Sequence, residues 1–176
     1  MPRTTTLIAA VLCAVCLACG DENEDEHSHG ETASATIAPK SDNTTLAGTA
    51  TFSGEAGSVQ VKVDLTGAPP GMHGVHIHET GDCSAADATS AGGHWNPTNQ
   101  MHGMLGPTSH LGDIGNITVA ADGTGTLSAS NTAWELGTGT ANDVIGHAVV
   151  VHGMADDLTS QPAGNAGPRI GCGVIE

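Results

Sequence analysis

The sequence predicts an all-β domain, a β-sandwich or flattened barrel, and three observations carry that expectation. Apolar residues recur at every second position: Val59, Val61, Val63 and Leu65 alternate with Ser58, Gln60, Lys62 and Asp64, the pattern of a strand with one buried face. Glycine supplies 25 of the 176 residues and, with many Thr, Val and Ala, marks short strands joined by tight turns. No stretch beyond the leader carries the apolar repeat of an amphipathic helix.

Taken in order, the chain opens on an export leader. Arg3 precedes the apolar run from Leu7 to Ala18, whose twelve residues are too few to cross a bilayer, which needs about 20. Leu17-Ala18-Cys19 resembles a lipobox, although Cys16 stands where lipoproteins usually carry Leu. Residues 1–18 are therefore expected to be removed and Cys19 to become a lipidated first residue, with plain cleavage after Ala18 as the alternative. This implies the periplasmic side of a bacterial cell envelope, with the lipid as the tie to the membrane. Residues 19–43, beginning with the acidic run Asp21 to Glu26, read as a disordered tether. His27 and His29 within it could scavenge metal weakly, and they fit a solvated linker as well.

The folded domain is expected over residues 44–176. Leu46, Gly48, Ala50 and Phe52 form one face of a strand, Ser53 to Gly57 a hairpin loop, and Ser58 to Leu65 the return strand. Pro69-Pro-Gly71 breaks the chain before a strand from Gly74 to His78. Asp122-Gly123 joins Ile117–Ala121 to Thr126–Ala129 as another hairpin, and strands from Val144 to His152 and from Ile170 to Ile175 complete the set. Two connections, 79–112 and 153–169, are too long for turns and need an organiser other than a core. Metal ligands and a disulfide can supply it, since the first carries Cys83, His94, His102 and His110 and the second leads from His152 to Cys172.

Nineteen acidic side chains against Arg3, Lys40, Lys62 and Arg169 give a formal charge of −15. This excludes nucleic acid as a partner and suits colloidal solubility outside the cytoplasm. Loss of the leader removes Cys13 and Cys16, and lipidation uses Cys19. Cys83 and Cys172 are left, and two cysteines in an exported chain read as a disulfide. Closing so long a loop is worth about 4 to 5 kcal/mol in the chain-entropy treatment.

The chemistry concentrates in His76, His78, His94, His102, His110, Asp113 and His152. Two separate four-coordinate sites would need eight ligands, so these seven require one shared imidazole, bound through both ring nitrogens as imidazolate. His76 and His78 lie two apart on a strand, point to one face and can chelate one ion. His94, His102, His110 and Asp113 make a closed set of three imidazoles and a carboxylate, suited to a structural zinc. His152 can complete the other set, and an all-imidazole set favours copper or zinc, of which copper offers one-electron chemistry.

Longer motifs surround these residues. Gly71-Met-His-Gly-Val-His-Ile-His-Glu-Thr-Gly-Asp82, Gly92-Gly-His-Trp-Asn-Pro97, His110-Leu-Gly-Asp-Ile-Gly-Asn116, Val150-Val-His152, Ala155-Asp-Asp-Leu158 and Gly164-Asn-Ala-Gly-Pro-Arg-Ile-Gly-Cys-Gly-Val-Ile175 together resemble the copper/zinc superoxide dismutases, in order, over residues 44–176. The resemblance implies an eight-stranded Greek-key sandwich or flattened barrel with two long metal-organised loops. It also implies one copper and one zinc per subunit, copper on His76, His78, His94 and His152, zinc on His94, His102, His110 and Asp113, and His94 as the bridge. Asp156 is then expected to hydrogen-bond His76 and His102, one ligand of each metal, and Cys83 to pair with Cys172. Arg169 would dock superoxide beside copper, and His94 would take and return a proton as copper cycles between its two states. The products are dioxygen and hydrogen peroxide, and the subunit would act as a monomer or homodimer.

Several positions depart from the common pattern. Cys83 directly follows Gly81-Asp82, and Ala88 rather than Cys precedes Thr89, which resembles the bacterial branch; the family's steering lysine and acid are missing between Leu158 and Gly164. His73 matches a buried structural histidine, and His147 is expected to be structural or exposed. The competing reading is a non-catalytic periplasmic module for copper and zinc binding or copper delivery, although this chain retains every copper ligand and the arginine. A zinc hydrolase would need an open zinc position, which the closed ligand set denies.

Overall fold

Eight antiparallel strands follow from the alternating pattern: β1 (Thr32–Pro39), β2 (Ala47–Glu55), β3 (Ser58–Thr66), β4 (Gly71–His78), β5 (Asp113–Val119), β6 (Gly125–Asn131), β7 (Ala148–His152) and β8 (Arg169–Val174). The computed structural model describes residues 1–2, 31–42, 45–55 and 57–176, so the leader from Arg3, the acceptor Cys19, and His27 and His29 lie outside the described residues. The strands close into a barrel in the order β1-β2-β3-β6-β5-β4-β7-β8. In it β4, β5 and β6 neighbour one another in sequence, and β7 returns over a long connection to lie beside β4, a Greek key.

Inward-facing residues of successive strands fill the interior, among them Ile37, Phe52, Val61, Val63, Val75, Ile77, Ile117, Val149 and Val151. Aromatic cover is sparse: Phe52 meets Trp134 edge-on at 6.5 Å, and the indole N–H of Trp134 donates to Leu111 O at 2.8 Å. All five residues of β7 are buried, because the strand has two covered faces. Val149 and Val151 enter the barrel, while Ala148 and Val150 pack outside it with Ala88, Ala91 and Cys172 in a second small core. The Cys83–Cys172 disulfide closes this layer, with 5.8 Å between Cα atoms.

Two expectations need correction. The stretch read as a tether through Asn43 is barrel from Thr32 to Pro39. Ala33, Ala35 and Ile37 point inward, and β1 pairs with β2 from Thr32↔Ser53 to Ile37↔Gly48 and with β8 at Ala38↔Cys172 and Pro39↔Gly171. Removing it would leave the edges of β2 and β8 unpaired, which is why such small side chains still form a strand. The strand expected from Val144 begins only at Ala148. The Asp143 carboxylate accepts the N–H groups of Gly137, Gly139 and Ile145 and holds that stretch as a loop.

Two irregularities position the site. The β4–β5 register shifts between Val75 and His76, so that His76 faces Asp113; the β7–β8 register shifts between Val151 and His152, so that His152 faces Arg169. A bulge of this kind re-aims side chains locally, and here each one brings two candidate site residues abreast.

Candidate metal centre

His76 and His78 alternate with the core residues Val75 and Ile77 on β4, which forces both imidazoles to the outer face of the barrel. The two long loops fold over that face and bury every one of the seven candidate ligands. Their donor atoms fall into two groups, His76, His78, His94 and His152, and His94, His102, His110 and Asp113, each with its atoms within 4.8 Å of one another. His94 is common to both.

Hydrogen bonds decide which nitrogen of each ring is free. The His78 Nδ1–H donates to Gly92 O at 3.0 Å, and the His152 Nδ1–H to Gly167 O at 3.3 Å. The His76 Nε2–H donates to Asp156 Oδ2 at 2.8 Å, which leaves His76 Nδ1 buried and without a partner, as is His94 Nε2. His78 Nε2 and His152 Nε2, each with its proton committed elsewhere, face one another at 3.3 Å. Two lone pairs held face to face, with two more buried nitrogens orphaned beside them, are the donor set of a cation. Burial holds these rings neutral, lowering His76 to about 4 and His152 to about 3, with His78 also well below its ordinary value.

The second group converges on one oxygen. His94 Nδ1, His102 Nδ1 and His110 Nδ1 lie 2.9, 3.0 and 3.3 Å from Asp113 Oδ1. The His102 Nε2–H already donates to Asp156 Oδ1 at 2.9 Å, so a neutral His102 ring presents a lone pair to that carboxylate. Asp113 Oδ2 accepts the N–H groups of Gly103 and His110, which turns Oδ1 inward. Three imidazoles and a carboxylate with no further position fit zinc.

Asp156 joins the groups, with one oxygen on His76 and the other on His102. Burial alone would raise its carboxyl, but hydrogen bonds from His76, the Leu158 N–H and His102 outweigh that and hold it near 2. Arg169 closes the other side. Its Nη1 and Nη2 donate to Ala88 O and Gly92 O, both at 2.6 Å, and Gly92 O also accepts from His78. Arg169, His78, His94 and His152 line one cleft of about 680 Å³, open space included, with the uncharged Asn96, Pro162 and Ala163. All the expected ligands, Asp156 and Arg169 thus meet at one centre.

Three further residues, Asn116, Gln161 and Gly164, support the centre. Asn116 pairs with the backbone of Asp156, donating to its carbonyl at 2.9 Å and accepting its N–H at 2.8 Å. The Gln161 amide makes the same two-way pair with the backbone of His102, at 2.8 Å each way, and clamps the second loop to the first. Gly164 lies so close that a Cβ there would sit 1.8 Å from Asp156 Oδ1. A polar residue inside a strand could have flagged Asn116; nothing local distinguishes Gln161. His73, as expected, is buried, its ring between the carbonyls of His152 and Pro69, and His147 lies against Trp95, the rings tilted by 33° with 4.5 Å between their centres.

Comparison with known proteins agrees with this geometry. A family profile described as copper/zinc superoxide dismutase (SODC) matches residues 46–175. An extracellular superoxide dismutase (Cu-Zn) from Brugia pahangi is 38% identical over 157 residues, 82% of this chain and 76% of that protein. A superoxide dismutase (Cu-Zn) from Caulobacter vibrioides is 38% identical over 149 residues, 81% of this chain and 86% of its own length. The crystal structure of the clock protein EA4 superposes with a TM-score of 0.72 at 34% identity, covering 83% of this chain and 94% of that one. Since the profile runs through both ligand groups, Asp156, Arg169 and the disulfide, the chain belongs to the copper/zinc superoxide dismutase family.

Proposed function

We propose that this protein dismutes superoxide to dioxygen and hydrogen peroxide in the cleft beside Arg169, with copper held by His76, His78, His94 and His152 and zinc by His94, His102, His110 and Asp113. The observation that carries this reading is His94, whose Nε2 belongs to one donor group while Nδ1 faces the other. When bound, copper supplies a one-electron couple and zinc a fixed positive charge on the shared ring. Arg169, the one cationic side chain lining the cleft, docks the anion, its planar fork held by Ala88 O and Gly92 O. Only when it is not ligating copper would His94 Nε2 hold a proton taken up from solvent, which it would then give to the departing peroxide as a general acid. Asp156 fixes the tautomers of His76 and His102, so their Nδ1 atoms stay free of protons.

In the protein loaded with both metals, Arg169→Glu should lower the dismutation rate by about 100-fold, as loss of an oriented charge at a reacting anion does, while neutralising the acids between Asp21 and Glu26 leaves it nearly unchanged. Equal effects would reject the role of Arg169. A fully loaded yet inactive wild type would favour a metal-binding or delivery module.

The same proposal places the protein outside the cytoplasm, in a bacterial envelope on the periplasmic side, anchored through a lipid on Cys19. The leader, the disulfide and the naming of one relative as extracellular support export. Mass spectrometry of the mature amino terminus reads the acyl chain directly. Every ligand comes from one chain, so the site is complete in a monomer and would be duplicated in a homodimer.

A further inference from the structure

We infer that Lys40 and Ser41, which follow β1 directly, are positioning residues that hold the Arg169 guanidinium in place by way of the disulfide loop. The inference rests on the reading of Arg169 as the anion dock, and it concerns residues outside the 46–175 span that matches the family.

These two residues reach both sides of the arginine. The Ser41 hydroxyl donates to the backbone carbonyl of Arg169 at 2.9 Å, and the Lys40 N–H donates to Ile170 O at 2.9 Å. On the other side the Lys40 ammonium donates to Cys83 O, and the Ser41 N–H donates to Ala86 O at 2.8 Å. That same loop presents Ala88 O and Gly92 O to the guanidinium. The disulfide fixes the loop at Cys83, five residues before Ala88. The Ser41 contact at Ala86 is a second anchor, two residues from Ala88, the nearer of the two carbonyls that Arg169 uses.

Ser41 adopts φ 54°, a left-handed conformation that costs a side-chain-bearing residue energy and persists only where its surroundings over-determine it. Its N–H and hydroxyl are both engaged, and each engagement leads to the setting of Arg169. Charge-assisted bonds from a planar fork depend on direction as well as distance, so a small shift of either carbonyl turns the guanidinium.

The backbone conformation itself supplies a test that separates positioning from folding. Ser41→Gly removes the hydroxyl and relieves the positive φ, so the melting temperature should hold or rise. In the full-length protein loaded with copper and zinc, azide as an anion probe, followed through the visible spectrum of copper, should bind about three- to tenfold more weakly, the scale of one lost hydrogen bond. Lys40→Met should weaken azide similarly, Lys40→Arg should restore it, and the loss should persist at about 0.15 M salt, where a distant charge is screened. Wild-type azide affinity in Ser41→Gly overturns the inference, as does a Lys40→Met effect that vanishes with salt. If Arg169→Glu itself leaves azide binding unchanged, the reading of Arg169 fails, and the inference with it.

Discussion

Gly164 is under the tightest steric constraint at the metal centre. A methyl group there would lie 1.8 Å from Asp156 Oδ1 and 2.6 Å from His102 Nε2, and its φ of 64° already disfavours any side chain. Asp156 would have to give way, and with it the orientation of His76 and His102. Gly164→Ala is therefore expected to weaken zinc retention by about 10- to 100-fold in competition with a chelator, the usual cost of losing a group that orients a ligand. Gly93→Ala is the matched control, since a Cβ there meets nothing within 4 Å, and it should retain zinc as the wild type does. Equal zinc retention in the two variants would show that Asp156 does not orient the zinc set. The contrast also shows what was readable in advance. The seven ligands were legible because metal binding demands particular side chains, and Asp156 and Arg169 because they stand in long motifs. Gly164 opens such a motif, yet its importance is an absence of atoms at a place only the fold defines. Gln161 was not legible at all: its contribution is a pairing with the His102 backbone across two loops, and an amide in a polar loop looks like any other.

Among the elements, β1 separates what pattern can reveal from what pairing creates. The alternation of Ala33, Ala35 and Ile37 against Thr32, Ser34 and Thr36 is present, but alanines carry so little hydropathy that it passes for linker beside an acidic run. β2 and β3 were plain because valine, leucine and phenylalanine mark their inner faces. Ile37 does what the alanines cannot: it is buried, packed where Gly171 of β8 leaves room for it, since a Cβ on that glycine would come within 3.0 Å. Ile37→Ala should thus destabilise the protein by about 2 to 4 kcal/mol in urea denaturation, the range for truncating a buried isoleucine. A residue in a tether would give no change, so the measurement discriminates directly. The two bulges were beyond sequence reading altogether, because a register shift is a property of two strands. They set His76 against Asp113 and His152 against Arg169, so the element that aims the site is the one that neither strand reveals alone.

At the scale of the whole molecule the charge opposes the substrate. Between Thr32 and Glu176 thirteen acidic side chains face three cations, Lys40, Lys62 and Arg169, so superoxide approaches a repelling body and meets attraction only near the cleft. The two fields have different ranges. Ten net charges viewed from about 20 Å in water repel a unit anion by roughly 2 kcal/mol before screening. The Debye length shrinks from about 30 Å at 0.01 M salt to about 8 Å at 0.15 M, which removes most of that repulsion, while the Arg169 contact inside the cleft is screened much less. The dismutation rate of the loaded protein should consequently hold or rise, by up to about threefold, over that salt range. The uncharged Pro162 and Ala163 offer the converse experiment, since they line the cleft without contributing to its field. Ala163→Lys should raise the rate at low salt and turn its salt dependence downward, because the added attraction then reaches beyond the cleft and is lost to screening. A wild-type rate that falls severalfold with salt would mean that a positive field already extends outward from this cleft, and that the molecule's acidity is arranged away from the path of the anion.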